Sequence, residues 1–328
     1  MSICEEIYDI SFFEIQNIIS YIGLILNALC MLAFFHSTIL KSSHGNVYKY
    51  LVAKTVCDLL ICIRTIILTE ISDDFFYSRS LCLFEWIFHF YFGFVLYFLS
   101  IFLKVAINFD FFRTITHKLK LFDMLNFKYK LTIAILISFV LYVPNLFIYR
   151  CQIEENNFNQ TFNQTNKVSY SLDLSDLFMK ETTIYAIRLS LSFIRDCVFP
   201  VIILILNILN VIFLKKSLIF KRKVLSIQAS KVKKLEQTEK TYAYIVISTS
   251  IFTILGHFPT FVFYILDQKK DLRINDCFLA VEQFLFNLSH SINFFFYFIF
   301  EKNFYLYFKT RFNRLIKSVY FKSRISST

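Results

Sequence analysis

The chain's 328 residues are 56% hydrophobic, with 43 Phe, 19 Tyr and a mean hydropathy of +0.55, which is more apolar surface than a soluble domain can bury. A net charge of +11 would suit nucleic acid in a soluble protein. Here the basic residues cluster between apolar runs, so the expected partner is an anionic membrane face and nucleic acid is set aside.

Only 4 Gly and 3 Pro interrupt the chain, and no period-two alternation of a barrel is visible, so the apolar runs predict helices. The opening MSICEEIYDISFFE carries Glu5, Glu6, Asp9 and Glu14 without a basic residue, the reverse of a signal peptide's first region. No cleaved signal is expected. Seven runs follow, at 15–36, 49–69, 83–112, 130–149, 184–214, 241–267 and 277–300. Each is long enough for a hydrocarbon core of about 30 Å. The reading is an all-α membrane protein: a short extracellular N-terminus (1–14), a seven-transmembrane helix bundle (15–300), and an amphipathic helix with a cytoplasmic tail (301–328).

The connections set the orientation. Bases are absent before the first run and sparse in the second and sixth connections. The third connection holds Arg113, Lys118, Lys120, Lys128 and Lys130, and the fifth runs from Lys215 to Lys240 with nine bases. The N-terminus is therefore expected outside and the C-terminus inside, which an odd number of spans satisfies. The fourth connection, 150–183, falls outside and carries glycosylation acceptors at Asn159 and Asn163. Beyond Glu301, Phe304, Phe308, Phe312 and Leu315 recur at helical spacing among Lys302, Lys309, Arg311 and Arg314, as in a helix lying on a membrane surface.

Ionisable groups inside spans are costly and point to function. Asp58 lies about 14 Å from the inner end of the second span at 1.5 Å per residue. Asn27, Ser100, Ser289 and Asn293 fall at similar depth, and a lone carboxylate there needs a partner or a proton. Lys54 is one turn from Asp58 on the same helix face, and Lys104 one turn inward of Ser100. Either ammonium is expected to neutralise Asp58 or to extend toward the inner headgroups. The outer halves hold Arg64, His89, Gly93, Tyr97, Arg195, Asp196, Tyr264, Glu282 and Gln283, the makings of an aromatic-walled pocket for a polar or charged ligand.

Taken in order, Asn27, the stretch Leu51–Asp58, the triplet Asp110-Phe111-Phe112, Pro200, Pro259, Asn293–Tyr297 and Phe304 resemble the marks of rhodopsin-like G-protein-coupled receptors. That resemblance implies a receptor for an extracellular ligand, a short peptide or small chemosensory molecule, with a heterotrimeric G protein as inner partner and no cofactor. It implies a sodium site at Asp58 with Ser100, Ser289 and Asn293, and a Cys82–Cys151 disulfide. Activation would involve Asp110, Phe111, Phe112, His257, Pro259 and Tyr297. The chain departs from the family pattern at Phe111, where an Arg is usual, at Phe294, where a Pro is usual, and at His257, where a Trp is usual. An enzyme is not expected, because the six histidines show no HxxxH or HExxH spacing and there is no Gly-rich phosphate loop. The alternative is a transporter or ligand-gated channel using Lys54, Asp58, Lys104, Arg195 and Glu282 as a path.

Overall fold

Long apolar runs with few helix breakers fold into long helices, and the bundle they form sets the frame for every polar group. A computed structural model describes residues 3–35, 47–71, 79–116, 126–147, 149–154, 169–174, 182–224, 229–267 and 275–325. Its helices are α1 (Ile3–Phe35), α2 (Val47–Ile71), α3 (Arg79–Phe84), α4 (Gly93–Thr116) and α5 (Phe127–Tyr142), followed by α6 (Thr182–Phe193), α7 (Phe199–Val224), α8 (Ala229–Asp267), α9 (Asn275–Ser291), α10 (Asn293–Phe300) and α11 (Lys302–Ile325). A π-helical stretch, Glu85–Phe92, joins α3 to α4, and another, Ile194–Val198, joins α6 to α7. A 3-10 turn over Val143–Phe147 ends α5. Strands β1 (Tyr149–Glu154) and β2 (Ser169–Leu174) pair antiparallel, Cys151 opposite Leu172, and Cys82 forms a disulfide with Cys151.

Neighbours in the bundle run α1, α2, α4, α7, α8, α9 and back to α1, with α5 flanking α4. The seven expected runs each overlap these helices, which overrun several of the expected ends: α1 begins at Ile3 and not at 15, α8 at Ala229 and not at 241, and the third run lies within helix from Arg79 to Thr116. Five stretches among the described residues are long and apolar enough to cross a membrane: Glu14–Phe35, Cys82–Thr116, Phe127–Phe147, Ala186–Phe220 and Glu236–Thr260. The second expected span, α2, is 25 residues long but contains Lys49, Lys54, Asp58, Arg64 and Glu70. The seventh is divided between α9 and α10.

Burial is inverted relative to a soluble protein. Ile18, Ile25, Leu136 and Val140 are more than half exposed, while Asp58, Lys104 and Asp196 are fully buried. An apolar exterior around a polar interior is the build of an all-α membrane protein. The largest apolar cluster lies toward α11, where Phe34, Tyr48, Phe111, Tyr297 and Phe304 pack together. Phe304 inserts from α11 against Phe34, Phe294 and Tyr297, so one face of that helix is anchored while Phe312 and Ile316 stay exposed.

Candidate functional site

The site is built outward from Asp58. Residues four apart on a helix share a face, so α2 itself brings Lys54 Nζ to 2.6 Å from Asp58 Oδ2. Asn293 Nδ2 donates to the same oxygen at 2.8 Å. The other oxygen, Oδ1, accepts from Ser100 Oγ at 3.0 Å and faces His290 Nδ1 at 2.8 Å. Both lone pairs of each oxygen are thereby engaged, and a neutral His290 must carry its proton on Nδ1 to serve such an acceptor. Asn27 Nδ2 donates to the His290 carbonyl at 3.0 Å, tying α1 to the cluster.

Local helix distortion makes this convergence possible. His290 and Asn293 are three apart, and between them Ile292 keeps its N–H bond to the Leu288 carbonyl at 3.0 Å while its own carbonyl accepts from Phe295 N–H, three residues on, at 3.0 Å. No proline is involved. The hydroxyls of Ser289 and Ser291 donate to the carbonyls of Phe286 and Asn287, side-chain bonds of the sort that bend helices. Ser289 is thereby turned away from Asp58, contrary to expectation, and packs against Gly256, where any Cβ would lie 2.7 Å from its Oγ.

Toward the hairpin end lies a second buried carboxylate. Asp196 Oδ1 accepts from Arg195 Nε at 2.8 Å and faces His257 Nδ1 at 3.0 Å, while Oδ2 accepts from Arg195 Nη2 at 2.6 Å. Adjacent residues on an α-helix point about 100° apart. The wider turn over Ile194–Val198 lets these two meet, and Phe199 N–H closes it on the Ile194 carbonyl, five residues back. The next residue, Pro200, has no N–H to give. Phe286 packs edge-on against His257, His290 and Tyr97, so the two carboxylate clusters share one aromatic divider.

Arg64 occupies the same end. Its guanidinium hydrogen-bonds the Tyr97 hydroxyl and the His89 ring. It lies where a Cβ on Gly93 would be, 2.3 Å from Nε. Gln283 pairs with Gln16 across α9 and α1. Tyr264 and Glu282 belong to α8 and α9, but their side chains fall outside the described residues, as do Asn159 and Asn163 entirely.

Toward α11 the polar contacts continue. Lys104 does not reach Asp58; its ammonium donates to Thr249 on α8, because its position on α4 faces that helix. One turn on, Asn108 donates to Ser250 at 3.0 Å, and its carbonyl accepts from Asn210 of α7 at 3.2 Å. Asp110 pairs with Arg113 at 2.8 Å, Phe111 is buried in the apolar cluster, and Phe112 meets Phe213 edge-on. Pro259 sits inside α8 without ending it. Tyr297 contacts Phe34 and hydrogen-bonds Thr55. At the boundary, Tyr48 hydrogen-bonds both Tyr242 of α8 and Glu301, which caps α10. Burial raises the Glu301 carboxyl above its ordinary value, with the Asn303 N–H and Tyr48 pulling it partly back.

Sequence reasoning counts His290 among the polar residues of the last run without assigning it to Asp58, and leaves out Asn108, Thr249 and Ser250. All four were visible as polar residues within apolar runs, and Lys104 with Asn108 shows the four-residue spacing of one face. Among the described residues, no group of three or more His, Cys, Asp or Glu side chains is arranged to hold a metal ion. No protein-family model matches the chain, and no curated protein matches it.

Proposed function

We propose that the chain is a rhodopsin-like receptor of seven spans in the plasma membrane, passing the binding of an extracellular ligand to a heterotrimeric G protein. The two spans beyond the five most apolar helices are α2 and the α9–α10 pair, and the charge of the connections puts the N-terminus outside. The observation that carries the reading is the Asp58 cluster. One carboxylate gathers donors from α2, α4, α9 and α10, so a shift in any of these helices disturbs all of them. Such a junction suits a bundle with two packings whose populations a ligand shifts.

Signal would leave through the α11 end, where the basic connections and the faces of α7 and α8 border the effector, and where Phe111 takes the position usually held by Arg. Lys54 supplies the positive charge at Asp58, so the receptor is insensitive to sodium. A transporter or channel using the buried charges is the competing reading.

Two experiments test the proposal in sequence. Epitope tags at both termini of the full chain are probed on intact cells; staining of the C-terminal tag alone ends it. Cells co-expressing promiscuous Gα subunits are then challenged with peptide and odorant pools. A ligand that raises second messenger supports the receptor, and ligand-gated current without a G protein supports the channel.

A further inference from the structure

Among the described residues, most buried charges of this bundle meet an opposite charge; the exceptions among the cations are Lys104, whose ammonium donates to Thr249, and Arg64 at the hairpin end. Lys54 meets Asp58, Arg195 meets Asp196 through two hydrogen bonds, and Arg113 meets Asp110. Arg64 is 5% exposed and, among the described residues, its partners are neutral, the Tyr97 hydroxyl and the His89 ring, while its Nε has no hydrogen-bond partner there. Among the described residues no carboxylate acts on it, and the charged group nearest in effect is a second cation, Arg195. An unmatched charge away from water is held only where something else compensates it.

The chain invests in keeping it there. Gly93 is the residue whose missing side chain makes room, since a Cβ would fall 2.3 Å from Arg64 Nε and 2.7 Å from Cζ. The guanidinium carbon lies 4.8 Å from the centre of the Tyr97 ring, and Tyr97 packs edge-on to Phe286 at 4.6 Å. Phe94 lies under Arg195 at 5.1 Å on the same side of the bundle. A planar fork of donors beside aromatic rings matches a carboxylate carried on an apolar or aromatic body.

We propose that Arg64 anchors the carboxylate of the ligand, with Tyr97 and His89 yielding their bonds to it as it enters. The ligand is therefore an organic acid with an apolar body, either a free small acid or the C-terminus of a short peptide. This rests on the receptor reading for its biological sense, but the binding itself is tested without a G protein.

The full chain, purified in lipid nanodiscs, is titrated with phenylacetate and hexanoate, with their primary amides, and with Gly-Gly-Phe bearing either a free or an amidated C-terminus. The midpoint of thermal unfolding is read, since a ligand that binds the folded state raises it. Each acid is expected to raise the midpoint where its amide does not. In Arg64→Gln the acids should need at least about tenfold higher concentration, the scale expected when one side of a buried charge pair is removed. Arg64→Lys should keep the preference for acid over amide at weaker binding, and it decides the matter if Arg64→Gln does not fold. A response to phenylacetate and hexanoate alone identifies a free acid, and a response to the tripeptide acid identifies a peptide terminus. Equal response to acid and amide, no response in wild type, or acid binding that emerges only in Glu282→Gln overturns the proposal. The last outcome would mean that the chain neutralises Arg64 itself. Acid binding with no signalling would remove the receptor reading and leave this site standing.

Discussion

Asp58 and Arg64 stand on one helix, six residues and about 9 Å apart along its axis, and the bundle treats them in opposite ways. Asp58 is met on every lone pair by side chains from several helices, an ammonium among them. Arg64 is nearly as enclosed but, among the described residues, hydrogen-bonds a phenol and an imidazole and no carboxylate. Enclosure alone therefore does not mark a structural charge. A completed shell makes a charge part of the scaffold, and an incomplete one makes it a point at which something from outside can act.

The sharpest way to break this contrast is Asp58→Ala, which leaves Lys54, His290 and Asn293 aimed at nothing. A loss of about 3–5 kcal/mol is expected in thermal or denaturant unfolding of the solubilised protein. A loss below about 1 kcal/mol would mean the cluster is not holding the helices together. Lys54→Leu removes one donor of four and is expected to lose about 1.5–3 kcal/mol, the range for a hydrogen bond to a charged group. It should also make the unfolding midpoint depend on sodium, against potassium at equal ionic strength, whereas wild type should not distinguish the two ions.

Gly93→Ala works on the other charge. The added methyl overlaps the guanidinium, so overpacking should lower stability by about 1–3 kcal/mol. Any acid binding at Arg64 should weaken with it, while the sodium response stays as in wild type. Glu301 gives the smallest effect and separates charges deep in the bundle from one at its rim. Because burial raises its folded-state pKa, the protonated form is favoured in the folded protein. Its stabilisation is fully present below its unfolded value near 4.5 and falls as pH rises through the folded value. A pH scan from 4 upward should show this slope in wild type and a flatter one, by less than about 1 kcal/mol, in Glu301→Gln.

Most of the helices were legible because lipid-facing residues must be apolar over a fixed length, a signal that survives without knowledge of packing. The pairing of Lys54 with Asp58 was legible for a similar reason, since four-residue spacing alone fixes a shared face. The hydrogen-bond partner of Lys104 was not legible because spacing gives depth but not the rotation of α4, and that rotation aims its ammonium at Thr249. His290 was not assigned to Asp58 because it sits among Asn287, Ser289 and Ser291, and spacing alone does not fix which of these faces α2. Adjacent residues such as Arg195 and Asp196 are expected to diverge. Their meeting depends on a wide turn whose only trace in the sequence is Pro200.

The Cys82–Cys151 bond staples the β1–β2 hairpin to the turn that begins at α3, across 69 residues of chain. Because that staple lies at the end where Arg64 waits, the choice of buffer becomes part of any binding assay. Dithiothreitol or a phosphine reductant would release the hairpin while leaving the buried thiols Cys30, Cys57 and Cys62 untouched. A sample handled under air and one handled under reductant should therefore be treated as two different proteins at the rim that carries the hairpin.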